Sequence, residues 1–314
     1  MLRISVVIPV LNDAEMLRTA LTALRLQTVP PSEIVVVDNG STDESAAVAR
    51  AFGAVIITEP IKGIPRATAA GFDAATGDVI ARLDADSIAP VDWLARIDDA
   101  FTRDPHLAAL TGPGDFYGDN AVVHGLGRAL YIGGFFWSMG IALGHAPLFG
   151  SNFAISAIAW KRIAGSIHRD IREIHDDLDI SFQFRPDMRV VYDPEFVVEI
   201  SARPFSSSSA LVRRIDWAFR TIALNWREED PVHRRLARAL TPRPPAEPST
   251  GLERLLEEGQ QISAQLIWGR LARAVTGSVD SDRGTDAAGE PSVLAQRPKI
   301  VRPHRNSKRN ARLP

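Results

Sequence analysis

Ile80-Ala81-Arg82-Leu83-Asp84-Ala85-Asp86-Ser87 is the stretch on which the reading of this chain turns. An apolar run ends here in two carboxylates spaced two residues apart. In an extended segment such side chains lie on one face, so Asp84 and Asp86 point the same way. Two carboxylates held that close repel unless a divalent cation or bound sugar hydroxyls offset the repulsion. Mg²⁺ is commonly held by one or two carboxylates plus substrate phosphates and water, so the pair suggests a metal site for a phosphorylated donor. The structural alternative is an acidic turn after a strand, with Asp86 capping a helix begun by Pro90-Val91-Asp92-Trp93-Leu94. Two-aspartate matches are common by chance, so the neighbouring sequence has to decide.

Upstream, strands alternate with helices. Ile4-Ser5-Val6-Val7-Ile8-Pro9-Val10 is a nearly continuous apolar run, as expected of a strand covered on both faces. Asn12 or Asp13 can cap the helix that follows, whose apolar positions Met16, Leu17, Ala20, Leu21 and Leu24 recur at helical spacing. Glu33 to Asp38 reads as a second buried strand, Gly53 to Ile57 as a third and Asp78 to Leu83 as a fourth, with helices over 46–51 and 63–75 between them. This alternation predicts a parallel sheet with helices on both faces. Such sheets bind ligands outside the carboxyl ends of their strands, where Asp38, Asp84 and Asp86 all fall. Asp38 alone, in Asp-Asn-Gly-Ser, would make a good turn anywhere.

Composition narrows the classes. With 314 residues the chain can bury a full core as one large domain or two smaller ones. Its 38 acidic and 36 basic residues nearly cancel, so no global field points to nucleic acid. Cysteine is absent, which excludes disulfides and thiol catalysis and fits a reducing compartment. The start, Met1 to Pro9, reads as a strand rather than a signal peptide. No run reaches the ~18 to 20 apolar residues that span a bilayer. A soluble or peripheral, cytoplasmic protein is the expectation, with the inner membrane face left open.

Val7-Ile8-Pro9-Val10-Leu11-Asn12, Val36-Val37-Asp38-Asn39-Gly40-Ser41-Thr42-Asp43 and Ala75-Thr76-Gly77-Asp78-Val79-Ile80 ahead of Asp84-Ala85-Asp86 together resemble the family 2 glycosyltransferases. The resemblance covers roughly residues 3 to 230. It implies a GT-A fold: a mostly parallel, Rossmann-like nucleotide-sugar half over 1–112 and an acceptor half over 113–240. It also implies a nucleoside-diphosphate sugar donor, a divalent metal (Mg²⁺ or Mn²⁺) and a role in cell-envelope polysaccharide. On that resemblance the donor side is Pro9, Asn12, Asp38, Arg66, Asp84 and Asp86. Asp38 falls at the base or ribose, Asp84 near the ribose and sugar, and Asp86 on the metal. The sequence departs from the family at Asn12-Asp13, where many relatives have Asn-Glu. It departs again at Ala67-Thr68-Ala69-Ala70-Gly71, where the usual arginine and asparagine are missing. Arg66, two residues earlier, is the remaining cation for a pyrophosphate; otherwise it is an exposed arginine at a helix end.

In the acceptor half, Leu107 to Gly114 reads as a strand and a glycine-rich turn. From Val122 to Phe149, aromatic residues (Tyr131, Phe135, Phe136, Trp137) sit among glycines. That stretch reads either as a helix pair packed on the sheet or as an apolar surface for a lipid-linked acceptor or a membrane interface. Gly150-Ser151-Asn152 precedes a short strand and a helix over about 156–164. The family resemblance makes these three residues sugar or acceptor contacts, whereas the local pattern alone fits a tight turn. Glu173-Ile174-His175-Asp176-Asp177-Leu178-Asp179 packs four acids into seven positions, which at a helix start suits the positive end of the dipole. Asp176-Asp177-Leu178-Asp179-Ile180-Ser181 resembles the family's Glu-Asp-x-Asp-Leu-Ser, with Asp176 in place of Glu in the acceptor site. The match puts the general base at Asp177; His175 is the rival by chemistry. Trp217 falls on the tryptophan of the processive members' Gln-x-x-Arg-Trp, which is otherwise absent, and is expected in the core or the acceptor wall.

From Thr241 the composition changes to a Pro-rich linker, an amphipathic helix over 252–274 and a largely disordered tail. The last stretch, 297–314, carries seven Lys or Arg and no acid. Such a tail can touch anionic lipid or simply stay solvated. The expected reaction is inverting transfer of a sugar to a hydroxyl acceptor, glycan or lipid-linked. The competing readings are a nucleotidyltransferase, disfavoured by the lack of a Gly- and Lys-rich loop after the first strand, and a non-catalytic nucleotide-sugar-binding protein.

Overall fold

The computed structural model describes residues 1–117, 133–201, 203 and 208–241. All of them belong to one compact unit, Met1–Glu247, and the second unit, Pro248–Pro314, lies outside the described residues together with the predicted amphipathic helix and basic tail.

The first half runs β1 (Ile4–Val10), α1 (Ala14–Arg25), β2 (Glu33–Asp38), α2 (Ser45–Ala51), β3 (Val55–Thr58), α3 (Ile64–Ala74), β4 (Val79–Arg82) and α4 (Trp93–Arg103). The second runs β5 (Leu107–Thr111), β6 (Gly114–Phe116), α5 (Gly133–Leu143), β7 (Phe153–Ser156), α6 (Ala157–Ile163), α7 (Asp176–Gln183), β8 (Arg189–Tyr192), β9 (Val198–Ile200), α8 (Ser208–Trp226) and α9 (Pro231–Leu240). The main sheet has the strand order β3-β2-β1-β4-β7-β5-β8.

Strand alternation divides the core between the two faces of that sheet. Ile4, Val6, Ile8 and Val10 of β1 pack with Leu17, Leu21 and Leu24 of α1 and Trp93 of α4. Val7 faces the other way, with Val35, Val37, Phe72 of α3 and Trp160 of α6. Burying each such leucine or valine stabilises the fold by ~1.5–3 kcal/mol. Helix α3 can lie on this face because it presents Gly71: a Cβ there would strike Val7 and come within 2.7 Å of Val37 Cγ2.

The four strands of the first half are parallel, as the alternation predicted. Beyond them the sheet is mixed. β7 runs antiparallel between β4 and β5, because the chain enters it from the Phe149–Asn152 turn at the carboxyl rim. The predicted cap of α1 also differs. Asn12 takes a positive φ of 54° and its side-chain oxygen accepts the Thr42 N–H, while Asp43 Oδ2 accepts the Ala14 N–H. Asp13 occupies the N-cap position without a side-chain cap hydrogen bond, because its carboxylate is engaged elsewhere.

Of the aromatic stretch over 122–149, residues 122–132, with Tyr131, lie outside the described residues. In α5, Leu143 is the buried side chain; Phe136 rests on Tyr192 and Phe149, and Trp137 is exposed. Among the described residues no helix is long and apolar enough to cross a membrane.

Candidate functional site

The register sets the carboxyl rim. Val10 pairs with Asp38 and Asp38 with Thr58, so β1, β2 and β3 end level, and β4 ends at Arg82 just before Asp84. Asp38 is half-buried, and its Oδ1 accepts the Ser41 N–H at 2.8 Å. Asn39 beside it is buried; it donates to the Glu59 and Ile61 carbonyls and accepts the Gly63 N–H, tying the end of β2 to the start of α3. Pro9 is buried in β1 opposite Val37.

At the centre stands Arg82, fully enclosed in β4. A buried arginine must be paired, and this one has two partners: Asp84 Oδ1 at 2.9 Å and Asp176 Oδ2 at 3.4 Å. It also donates to the Gly150 carbonyl. Burial opposes its charge, yet Asp176, Asp84, Asp177 and Asp86 together hold the guanidinium above its ordinary value. Asp84 Oδ2 in turn accepts the Ser151 hydroxyl at 2.7 Å, and Asp176 Oδ2 accepts that of Thr68 at 2.6 Å. Thr68, one of the departures from the family pattern, thus anchors the acid cluster from α3.

Asp177 projects from the first turn of α7, half-buried. Its Oδ2 accepts the Gly150 N–H at 2.7 Å. Burial, and then the neighbouring Asp176, raise its pKa; His175, Arg82 and the Gly150 N–H oppose this without cancelling it. His175 donates Nε2–H to the Arg214 carbonyl and receives the Trp217 ring edge-on, with centroids 6.3 Å apart. Trp217 is therefore a half-buried wall on α8 beside the acids.

Asp86 does not cap the following helix; Asp92 occupies its N-cap position, with no side-chain cap hydrogen bond, and Asp86 is engaged elsewhere. Its Oδ2 accepts both Nε and Nη2 of Arg203, at 3.1 and 2.6 Å, and the same Nη2 reaches Asp13 Oδ2 at 2.6 Å. Burial and the nearby Asp84 raise Asp86, and Arg203 partly offsets them. Paired bridges between Ile88 and Glu199 bind the turn after Asp86 to β9, and β9 leads on to Arg203.

Two expected contacts serve the scaffold instead. Asn152 is fully buried: it accepts the Trp93 indole N–H at 2.9 Å and donates to the Pro113 and Phe196 carbonyls, so no side-chain group is left for a sugar. Asp176 is likewise buried on Thr68 and Arg82. Arg66 is engaged with Asp170 Oδ1 at 2.5 Å rather than free on the rim, and Asn12 braces the two loops after β1 and β2. Sequence reasoning gave Arg82 no role, although a cation inside an apolar strand is a signal for one; Arg203, 117 residues from Asp86 in sequence, carried no such signal. Among the described residues no group of three His, Asp or Glu side chains converges as a metal cage.

An α/β sheet of this topology, with one antiparallel strand set between β4 and β5 and acids lining its carboxyl rim, has the GT-A glycosyltransferase fold. The mannosyltransferase PcManGT of Pyrobaculum calidifontis, solved in complex with GDP-Man and Mn²⁺, superposes with a TM-score of 0.56 at 18% identity over 90% of this chain and 88% of its own. Glucosyl-3-phosphoglycerate synthase of M. tuberculosis gives 0.51 at 18% identity, over 71% and 80%. Residues 5–149, a little under half of the chain, match the family model for glycosyl transferase family 2. Glycosyltransferase AglE of Haloferax volcanii is 37% identical over 101 residues, 30% of this chain and 33% of the relative. The undecaprenyl-phosphate 4-deoxy-4-formamido-L-arabinose transferase of Serratia proteamaculans is 38% identical over 105 residues, 30% and 32%. The chain spans about a third of the length of these curated relatives.

Proposed function

We propose that the protein transfers a sugar from a nucleoside diphosphate to a hydroxyl group of a glycan or lipid-linked acceptor, with inversion at the sugar carbon. The observation that carries this is the connection of Asp177 to the carboxyl rim. Through Gly150 and Arg82, a carboxylate whose pKa is raised by burial and by Asp176 is connected to Asp84, just after β4. A general base works best with a pKa close to the working pH. Asp177 takes the proton of the attacking hydroxyl, the acceptor oxygen bonds to the sugar carbon, and the diphosphate leaves with the electron pair of the broken bond.

In this reading Asp38 meets the base or ribose of the donor, and Asp84, steadied by Ser151 and Arg82, its ribose and sugar. Asp86 fits a hard divalent cation, Mg²⁺ or Mn²⁺. Its donors are oxygens, and burial followed by repulsion from Asp84 raises it, which a cation relieves as the Arg203 guanidinium partly does here. With one carboxylate as the protein ligand, diphosphate and water would complete the set. When bound, such an ion neutralises charge on the departing diphosphate. The Pyrobaculum mannosyltransferase complex with GDP-Man and Mn²⁺ supports this donor chemistry. The undecaprenyl-phosphate transferase among the relatives supports a lipid-linked acceptor.

The test is incubation with UDP-, GDP- and dTDP-sugars plus Mn²⁺. Release of free nucleoside diphosphate, stimulated by the acceptor, is expected. Pyrophosphate release would assign a nucleotidyltransferase instead, and tight binding with neither product a non-catalytic protein.

A further inference from the structure

A surface helix ordinarily buries its apolar stripe and turns its charges to water. Helix α9 does the reverse. Its arginines Arg234 and Arg238 are inward, only 6% and 4% exposed, whereas Val232 and Leu240, on the opposite side, are 70% and 72% exposed. The reason for the inversion lies at the end of α7. The last carbonyls of a helix lack partners within it, and here Arg234 donates to Phe182 and Phe184, and Arg238 to Phe184. With the charged side committed to that cap, Val232, Leu236 and Leu240, spaced four apart, form a stripe facing outward.

Two other helices also expose apolar side chains. Helix α8 exposes Val212, Ile215, Phe219 and Trp226, a single stripe at helical spacing. Helix α5, joined to α9 by the Arg235 hydrogen bond to the Ile141 carbonyl, exposes Trp137 and Ile141. Monomeric soluble proteins rarely leave large apolar patches uncovered without a partner.

Charge identifies the partner. Of the seven arginines in 208–241, Arg234 and Arg238 are buried on that cap, which leaves five against four acids, in a chain whose net charge is −2. Arg213, Arg214 and Arg227 are exposed on α8 and just after it, and no acid among the described residues pairs with them. Apolar stripes edged by unpaired arginines and tryptophans are the signature of a helix lying in a lipid interface.

We propose that α8 and α9, with the exposed edge of α5, form a face that docks on an anionic phospholipid bilayer. Docking goes beyond sugar transfer and does not require it. What rests on the transferase reading is its consequence for the acceptor. Helix α8 is bonded to the start of the acid cluster through the hydrogen bond from His175 N–H to Thr221 and that from His175 Nε2 to the Arg214 carbonyl. A lipid-linked acceptor would thus enter beside Asp177.

The experiment is co-sedimentation of the full chain with vesicles of phosphatidylglycerol and phosphatidylcholine, against phosphatidylcholine alone, followed by hydrogen exchange on the bound protein. Binding to the anionic vesicles and slowed exchange over 208–241 are expected. The double variant Leu236→Glu, Leu240→Glu, altered only at exposed positions, should lose about tenfold or more in partitioning, with its thermal transition unchanged. A wild-type chain left in the supernatant, a double variant that binds like wild type, or protection confined to residues beyond 247 would each overturn the proposal. So would a lipid-free dimer that the same variant dissociates, which would assign the face to a second copy. Nucleotide-sugar turnover is not read, so failure here leaves the transferase reading to its own test.

Discussion

Gly150 donates its N–H to Asp177 Oδ2 at 2.7 Å while its carbonyl accepts from Arg82. One residue without a side chain thereby links the acid of α7 to the cation buried in β4. Arg82 continues the link to Asp84 and Asp176, so five residues from three distant parts of the chain act as one electrostatic unit. Their properties are coupled, and substitutions at any of them should be read together.

Replacing Asp177 by asparagine should lower transfer ~10²–10⁴-fold while nucleotide binding persists, the usual loss for a general base. It should also stabilise the protein at neutral pH. The folded-state pKa of Asp177 is raised, so its contribution to stability is complete below the unfolded value and is lost as pH rises through the folded one. At pH 7 the ionised carboxylate therefore weakens the fold, and asparagine removes that cost. Thermal melts of both proteins at pH 7.5 and pH 4 check this: the asparagine variant should melt higher at pH 7.5, with the gap narrowing in acid.

Arg82→Met leaves two carboxylates without their shared cation. Removing one partner of a buried pair costs ~3–5 kcal/mol, which denaturant titration would register. Arg82 is also one of the groups that restrain the upward shift of Asp177. In whatever folded protein remains, the acidic limb of the kcat/KM profile should move to higher pH.

Gly150→Ala tests the same link sterically. A Cβ at this position would lie 2.5 Å from Arg82 Nη1 and 2.9 Å from Asp177 Oδ2. Overpacking of this kind costs ~1–3 kcal/mol, and turnover should fall with stability. Gly134→Ala, where no atom lies within 4 Å of the new methyl group, is the control. In a helix it should be neutral or stabilising by up to ~1 kcal/mol.

Arg203→Ala frees Asp86 and Asp13 from a guanidinium that now holds both. Burial alone would lower the Arg203 pKa, and the bonds to Asp13 and Asp86 outweigh it and hold it raised. Without that competitor, Mn²⁺ should bind the nucleotide-free protein more tightly, measured as loss of the free-ion EPR signal. Unchanged Mn²⁺ affinity would show that Arg203 and the ion do not share Asp86.

Much of this molecule is legible along the chain because its causes are local. Strand β1 is apolar at nearly every position because both faces are covered, and α1 repeats its leucines with the period of a helix, so the elements follow from spacing. Asp38, Asp84 and Asp86 fall at strand ends by the same reasoning. What spacing cannot convey is how a side chain uses its hydrogen-bonding groups. Asn152 sits in a glycine-serine turn suited to ligand contact, yet its amide is consumed by Trp93, Pro113 and Phe196.

The sequence by itself determined the alternation of strands and helices, the parallel first half and the acidic rim, because periodicity and strand-end chemistry act over a few residues. Only the tertiary structure decided that Arg82 binds Asp84 and Asp176, that Arg203 closes on Asp86, and that α9 turns its arginines inward. Those outcomes depend on which distant carboxylates and carbonyls need a cation once water is excluded. That need arises only when the chain has folded and brought them together.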